Sequence, residues 1–377
     1  MKKSKILVIF GTRPEAIKMA PVVLALRKHL HIETAVCVTG QHREMLDQVL
    51  SVFNIKPDFD INVMTDKQQL ASISAKILLG VTNILEEYKP SVVLVHGDTT
   101  TSFISSLAAF YLQIPVTHVE AGLRTHNIYS PWPEEFNRRS IGSIATLHFA
   151  PTQESEENLL AEFTPKNNIE VTGNTVIDAV RLTSERLRVD NKFCLEASSR
   201  FNGLDSDLPI VLVTAHRREN LEGGIHKICE AIAEIADTGQ AQFVFPVHKN
   251  PRVQTVVHEQ LSNKKNIILT PPLDYPEVIN LMTRSHILLT DSGGIQEEAA
   301  YLRKPCLVMR DTTERPELVN AGGAKLVGTD PKNIINAVLH LLQNQDAHRA
   351  MQIKHNPYGD GFAAERIATR LTKFLSK

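Results

Sequence analysis

Nine short runs of β-branched and aliphatic residues punctuate the chain, each giving way to a polar or glycine-containing turn and then to a helical pattern. They cover residues 5–10, 35–39, 92–96 and 116–119 in the first half, and 210–214, 243–246, 267–269, 287–290 and 306–309 in the second. Near-continuous Val/Ile/Leu runs separated by helices are what a parallel sheet covered on both faces requires, because each strand must bury both of its sides. Two such series predict two doubly wound α/β domains. The length agrees, since 377 residues exceed what a single hydrophobic core usually serves.

The N-terminal series ends near Val171, before Gly173-Asn174, and residues 186–207 are polar with no strand pattern. This predicts an N-terminal domain over 1–172, a connection over 173–204 and a C-terminal domain over 205–358. After the breaker run Asn356-Pro357-Tyr358-Gly359-Asp360-Gly361, residues 362–377 read as a final amphipathic helix.

Charge narrows the function classes. The chain holds 41 Lys and Arg against 42 Asp and Glu, so no global attraction to nucleic acid or to a membrane surface is expected. Any anionic ligand must be held locally. Cys37, Cys194, Cys229 and Cys306 are scattered without metal spacing and read as small hydrophobes in a reducing compartment. The basic start leads directly into a first strand and no apolar run reaches the ~20 residues of a membrane span, so a cytoplasmic location is expected.

Ligands of open α/β sheets bind beyond the carboxyl ends of the strands, so the loops after these runs are where chemistry is expected. The first is Gly11-Thr12-Arg13-Pro14-Glu15, followed by Lys18. Thr12-x-x-Glu15 with Pro14 fits a capping box. Capping does not account for Arg13, a cation at the positive end of a helix dipole, and an anionic ligand would resolve that conflict. The loop lacks the spacing of a dinucleotide fingerprint; Gly359, Gly361 and Ala364 match it only formally, after Asn356-Pro357 where a strand would be needed.

Next come His96-Gly97-Asp98-Thr99-Thr100 and His118-Val119-Glu120-Ala121-Gly122-Leu123-Arg124, each with a carboxylate just past a buried run. Taken singly, Asp98 reads as a helix N-cap and Glu120 as an ion-pair partner of Arg124. A third acid source is Ser130-Pro131-Trp132-Pro133-Glu134-Glu135, a stiffened entry into a helix with an acidic first turn. Three acids at one sheet edge point to proton transfer or to stabilisation of a developing cation.

The second half supplies the complementary charge. After the run ending at Thr214 comes His216-Arg217-Arg218-Glu219-Asn220, and after that ending at Thr290 comes Asp291-Ser292-Gly293-Gly294-Ile295-Gln296-Glu297-Glu298. Ser292 can cap the following helix, while Gly293 and Gly294 let backbone N–H groups approach a phosphate. An acid one turn further on can accept both hydroxyls of a ribose. The loop Arg310-Asp311-Thr312-Thr313-Glu314-Arg315-Pro316-Glu317 is expected beside this nucleotide-diphosphate site.

Taken together, the strings GTRPEAIKMAP, TGQHREMLDQ, VHGDTTT, HVEAGLRT, YSPWPEE, TGNTVIDA, HRREN, DSGGIQEEA, VMRDTTERPE and NPYGDG span nearly the whole chain. They resemble the non-hydrolysing UDP-N-acetylglucosamine 2-epimerases. The resemblance implies two Rossmann-like domains facing across a cleft (the glycosyltransferase-B-like arrangement), with the last helix returning to the first domain. It implies interconversion of UDP-GlcNAc and UDP-ManNAc by a homodimer using neither metal nor redox cofactor.

Carried over by motif, it makes Asp98, Glu120, Glu134 and His216 catalytic. It puts Arg13 and Lys18 at the substrate, Ser292, Gly293 and Gly294 at the UDP phosphates, and Glu298 at the ribose. Some bacterial members take a second UDP-GlcNAc as an allosteric activator near the TGQH string, which makes Gln41 and His42 the candidates here. Hydrolysing relatives share the HRRE string, so a hydrolysing epimerase, a glycosyltransferase and a non-catalytic nucleotide-sugar sensor stand as alternatives.

Overall fold

A computed structural model describes residues 3–40, 43–64, 69–201, 203–217, 220 and 223–376. The chain forms two compact units: Met1–Ala179 with Gly359–Lys377, and Val180–Tyr358.

The first unit holds a seven-stranded sheet made of β1 (Ser4–Phe10), β2 (Ile32–Val38), β3 (Phe59–Asp60), β4 (Val92–His96), β5 (Val116–Val119), β6 (Leu147–Ala150) and β7 (Ile169–Val171). Its order is β3-β2-β1-β4-β5-β6-β7, parallel throughout. The second unit holds β8 (Ile210–Thr214), β9 (Gln242–Pro246), β10 (Ile267–Thr270), β11 (Ile287–Thr290), β12 (Cys306–Val308) and β13 (Ala324–Leu326). These run in the order β10-β9-β8-β11-β12-β13, again all parallel. The doubly wound α/β class expected from the strand runs is therefore the observed one.

In each unit the strands bury aliphatic side chains against helices. Leu7, Ile9, Val93 and Val95 pack with Ile77, Val81 and Leu85 in the first unit. Val211, Val213, Phe243, Phe245 and Leu289 pack with Ile228, Ile232 and Ile235 in the second. The periodicity overlooked β3, β6, β7 and β13, which have only two to four residues. In β6, moreover, His148 interrupts the aliphatic run. Among the described residues no helix is long and apolar enough to cross a membrane.

The stretch expected as a connection is helical, Thr175–Val189 followed by Asn191–Ser198, and the unit boundary falls inside the first of these helices. The last helix, Ala363–Leu375, packs on the helix Arg13–Arg27 of the first unit. Its buried N-terminus is satisfied by Asp178, whose carboxylate accepts from the amides of Ala363 at 3.2 Å and Ala364 at 2.8 Å.

The strand order reverses between β1 and β4 in the first sheet and between β8 and β11 in the second. At such a switch point the connections leave in opposite directions and open a crevice at the carboxyl ends. The loops after those four strands carry Arg13, Asp98, His216 and Ser292.

Three buried histidines lie on neighbouring strands of the first sheet: His96 ending β4, His118 in β5 and His148 in β6, with His118 and His148 register partners. Burial pushes His96 and His148 down to about 4 and His118 to about 3. Folded pKa values below the unfolded value of ~6.5 mean that the unfolded chain binds more protons. Stability is then complete above about pH 6.5 and is lost as pH falls toward 4. At pH 5 the cost is about 2 kcal/mol per imidazole. Urea unfolding at pH 5 and 7.5 should show the first unit markedly weaker at the lower pH; equal midpoints would refute this.

Candidate active site

In the first unit, β1 ends in a loop that only glycine can make: a Cβ at Gly11 would sit 2.1 Å from Thr39 Oγ1. Thr12 then caps the helix Arg13–Arg27, with the reciprocal Thr12/Glu15 capping box expected from the sequence. Glu15 does more than cap. It is buried, its Oε2 accepts from the amides of Gly11 at 3.0 Å and Thr12 at 2.8 Å, and its Oε1 accepts from Thr99 Oγ1 at 2.7 Å and Ser102 Oγ at 3.0 Å. It thereby ties the loop after β1 to the helix Thr100–Tyr111 that follows β4. Arg13 is the first residue of its helix and half-buried.

Both single-residue readings of the next two acids fail. The N-cap of the helix Thr100–Tyr111 is Thr99, whose hydroxyl accepts from the Ser102 amide at 3.1 Å, so Asp98 is not used as a cap. Instead Arg138 donates to the Asp98 carboxylate, while Asn137 Nδ2 donates to the Asp98 carbonyl at 2.8 Å. Burial raises the Asp98 carboxyl above the ordinary aspartate value; Arg138 opposes the rise, and the nearby acids Glu120 and Glu134 add to it. Arg124 pairs with Glu162, through Nε at 2.8 Å and Nη2 at 2.7 Å, which leaves Glu120 to other partners.

Those partners are Lys18, which ion-pairs with Glu120 Oε1, and Asn174, whose Nδ2 donates to the same oxygen at 2.9 Å. Glu120 itself has φ 61°, the left-handed region that a non-glycine residue enters only when its surroundings enforce it. The tight turn continues to Gly122, where φ is 92° and a Cβ would meet the Ser155 carbonyl oxygen at 2.1 Å. The strain aims the carboxylate at Lys18.

Two members of this cluster were not singled out as functional from the sequence. His96 Nε2 lies 3.3 Å from Glu120 Oε2. Burial keeps His96 neutral, with Glu120 opposing that effect and Lys18 reinforcing it. Arg138 is the other, bridging Asp98 and Glu135. The two acids of Glu134-Glu135 also divide. Glu135 is fully buried and accepts from the Thr125 amide at 3.0 Å, a structural role. Glu134 opens the helix Glu134–Ile144, and its Oε2 has no hydrogen-bond partner among the described residues.

The second unit builds its own strand-end cluster around Asp291, the residue directly after β11. Asp291 is fully buried, and its Oδ2 accepts from the amides of His216 and Arg217 and from Asn220 Nδ2, each at 2.9 Å. Its Oδ1 stands 3.4 Å from His216 Nδ1. Burial holds His216 below the ordinary histidine value, Asp291 pulls it back up, and His248 and Arg217 lower it further. His216 is thus a partly exposed ring held from below by a buried carboxylate. The sequence reading did not single out Asp291, although an acid immediately after a buried strand was the available signal.

Ser292 stands at the N-cap position of the helix Gly293–Leu302, but its side chain makes no capping bond; its amide donates to Thr290 Oγ1 at 3.0 Å. Neither Gly293 nor Gly294 has a positive φ, so no tight turn demands glycine. A Cβ at Gly294 would meet nothing nearer than Ser292 Oγ at 4.0 Å. Gly293 is buried at the start of the helix and Gly294 is exposed. Beside them Glu314 accepts from Arg217 Nη2 and Arg310 Nη1, both at 3.2 Å. Although burial opposes it, those arginines hold the Glu314 carboxyl below its ordinary value. Glu298 lies buried one turn into the helix. Gln41, His42, Arg218 and Glu219 lie outside the described residues.

Known proteins resemble the chain end to end. A family model described as UDP-N-acetylglucosamine 2-epimerase matches residues 24–372. The UDP-N-acetylglucosamine 2-epimerase of Yersinia pestis is 53% identical over 368 residues, covering 97% of this chain and 98% of that protein. Among solved structures, the UDP-GlcNAc 2-epimerase of Neisseria meningitidis bound to UDP-GlcNAc is 50% identical with TM-score 0.91, over 98% of this chain and all of that one. The Methanocaldococcus jannaschii enzyme in complex with UDP-GlcNAc and UDP is 33% identical with TM-score 0.81, covering 98% of this chain and 99% of its own. A glycosyltransferase of Rickettsia africae, at 16% identity and TM-score 0.62 over the full length of both chains, shares the fold alone.

Proposed function

The chain belongs to the UDP-N-acetylglucosamine 2-epimerase family, and on that premise we propose that it inverts C2 of UDP-GlcNAc to give UDP-ManNAc by elimination and re-addition of UDP. The observation that carries the reading is the cluster of Asp98, Glu120 and Glu134, three acids in three different settings. Asp98 is biased toward its protonated form, Glu120 is ion-paired, and Glu134 keeps an oxygen without a partner among the described residues. Acids whose environments separate them are how one site holds a proton donor and a proton acceptor together. Ribose and phosphate recognition needs no such set, which counts against a non-catalytic sensor.

The chemistry asks for both clusters. The C2 proton of the sugar is not next to a carbonyl, so direct removal would leave an unstabilised carbanion. Departure of UDP from C1 develops oxocarbenium character instead, which carboxylates stabilise and which loosens the C2 proton. Electron flow from the C2–H bond then forms the C1–C2 double bond of 2-acetamidoglucal as the C1–O bond breaks and the proton passes to a carboxylate. Re-addition of UDP with protonation from the opposite face gives the epimer, so two different groups serve. We assign these steps to two of Asp98, Glu120 and Glu134, with Lys18 holding Glu120. Arg13, His216 and the amides after Ser292 take the departing diphosphate, and Glu298 the ribose.

Turnover in deuterated water followed by NMR tests this. UDP-ManNAc is expected with deuterium at C2, and product that retains hydrogen there would refute elimination. Accumulation of free sugar would favour a hydrolysing epimerase, and no reaction without an acceptor would favour a glycosyltransferase.

The same reading includes a cytoplasmic homodimer supplying UDP-ManNAc for surface polysaccharide synthesis. In support of self-association, Leu79, Phe110 and Tyr111 stand 68%, 57% and 63% exposed on two helices that pack against each other, Leu70–Tyr88 and Thr100–Tyr111. Leu79→Glu should shift the mass measured by light scattering from dimer to monomer; an unchanged mass would exclude that face. Activation by a second UDP-GlcNAc near Gln41 and His42 would appear as a sigmoidal dependence of rate on UDP-GlcNAc, and a hyperbolic one would remove it.

A further inference from the structure

A cavity of about 870 Å³ lies at the amino-terminal edge of the second unit's sheet. Ile210 begins β8 there, Ser285 and His286 lead into β11, and Lys304 leads into β12. The loops carrying His216 and Ser292 leave from the opposite, carboxyl-terminal edge. Nothing in the proposed reaction uses this space, and its volume falls within the range of small-molecule sites.

Its lining is chemically specific. Leu208, Pro209, Leu341 and Leu342 form an apolar wall. Three cationic side chains, Arg284, Lys304 and Arg349, line the rest, and none of them makes an ion pair or a side-chain hydrogen bond among the described residues. The acids at the lip do not reach them. Asp205 Oδ1 accepts from the Asp207 amide at 2.8 Å, and Asp207 Oδ1 accepts from Ser206 Oγ at 3.4 Å, so both are turned onto their own loop.

On the cavity wall His286 and His348 stack with ring centroids 3.8 Å apart, and His348 Nε2 donates to the His286 carbonyl at 3.0 Å. Burial, the His348 ring and the Lys304 ammonium together push His286 down to about 4. Lys304 itself is lowered by burial. Lys304 is partly buried without a counter-charge, which is costly and favours an anion, while Arg284 and Arg349 stand exposed at the rim where they can reach the same ligand.

We propose that this cavity binds a phosphate-bearing small molecule, its phosphate held by Lys304, Arg284 and Arg349 and its body laid against the leucine wall. Charge-assisted bonds to phosphate are the strong ones for these side chains, and arginine offers them in pairs. The claim is independent of the epimerase reading.

Calorimetric titration of the whole protein with pyrophosphate, and separately with AMP, tests it, with UDP present in excess to fill the opposite edge. Saturable binding of either probe is expected, weakened about tenfold or more in Lys304→Met. Epimerase turnover in that variant should stay within about twofold of the parent, since Lys304 touches neither cluster. Equal affinities for the two probes would identify the phosphate alone as the ligand group, and tighter AMP binding a phosphorylated metabolite. Should Lys304→Met fail to fold, Arg349→Ala carries the same comparison. Absence of saturable binding by both probes, or unchanged affinity in the folded variants, overturns the proposal.

Discussion

Asp98→Asn and Glu120→Gln are each expected to lower turnover by about 10³-fold while UDP still binds with near-normal affinity. General acid–base groups contribute ~10² to 10⁴ each, and both substitutions keep shape while removing a proton site. The two should differ in stability. Asp98 is raised by burial, so its charge is held at a cost, and the amide relieves part of that cost while giving up the Arg138 ion pair. Glu120→Gln leaves Lys18 without its partner carboxylate, in a spot where both side chains are largely buried, and should destabilise the first unit. Measuring kcat, UDP affinity by calorimetry and the unfolding midpoint separates these effects. Near-normal turnover in either variant would take that residue out of the reaction.

Asp98 also gives a sign to the pH dependence. With its pKa raised, it releases its proton at higher pH than an ordinary aspartate. Because epimerisation changes no net proton count, kcat/KM must show the same pH dependence in both directions, and an Asp98 that takes part should place one limb above the ordinary aspartate range in both.

The second large effect is predicted for Asp291. Asp291→Ala strips three donors of their acceptor at once: the partly buried His216 and Arg217 amides and the buried Asn220 side chain. At ~1 to 3 kcal/mol for each buried group left unsatisfied, the second unit should lose about 3 kcal/mol or more. Asp291→Asn keeps an acceptor oxygen and should fold, yet it removes the negative charge that raises His216. In that variant any rate limb belonging to His216 should move to lower pH, and kcat/KM should fall about 10²-fold by loss of ring orientation. A purely structural role for Asp291 would leave the pH profile of Asp291→Asn unchanged.

Much of this was readable in advance, for identifiable reasons. Long buried strands such as β1, β4 and β8 leave unbroken aliphatic runs, and a parallel sheet forces the chemistry to the loops that follow them. The Thr12/Glu15 capping box is local, its residues three apart, and so was legible as written. The candidate acids and the Gly293-Gly294 pair were visible because they stand directly after buried strand runs or at a helix start, where open α/β sheets place their ligands.

What escaped were relations between distant residues. From sequence alone Glu120 had an ion-pair partner four positions away in Arg124, and Asp98 had a helix to cap; both are sensible local satisfactions. Tertiary packing gave Arg124 to Glu162 and the cap to Thr99, and turned Glu120 to Lys18, 102 positions away in the chain. The same holds for Asp291, whose hold on the 216–220 loop joins residues 71 to 75 positions apart. The sequence by itself determined two parallel sheets and which loops could react, since hydrophobic periodicity and turn chemistry are local. Only the tertiary structure decided which charges meet, because an ion pair depends on where two strand ends arrive in space.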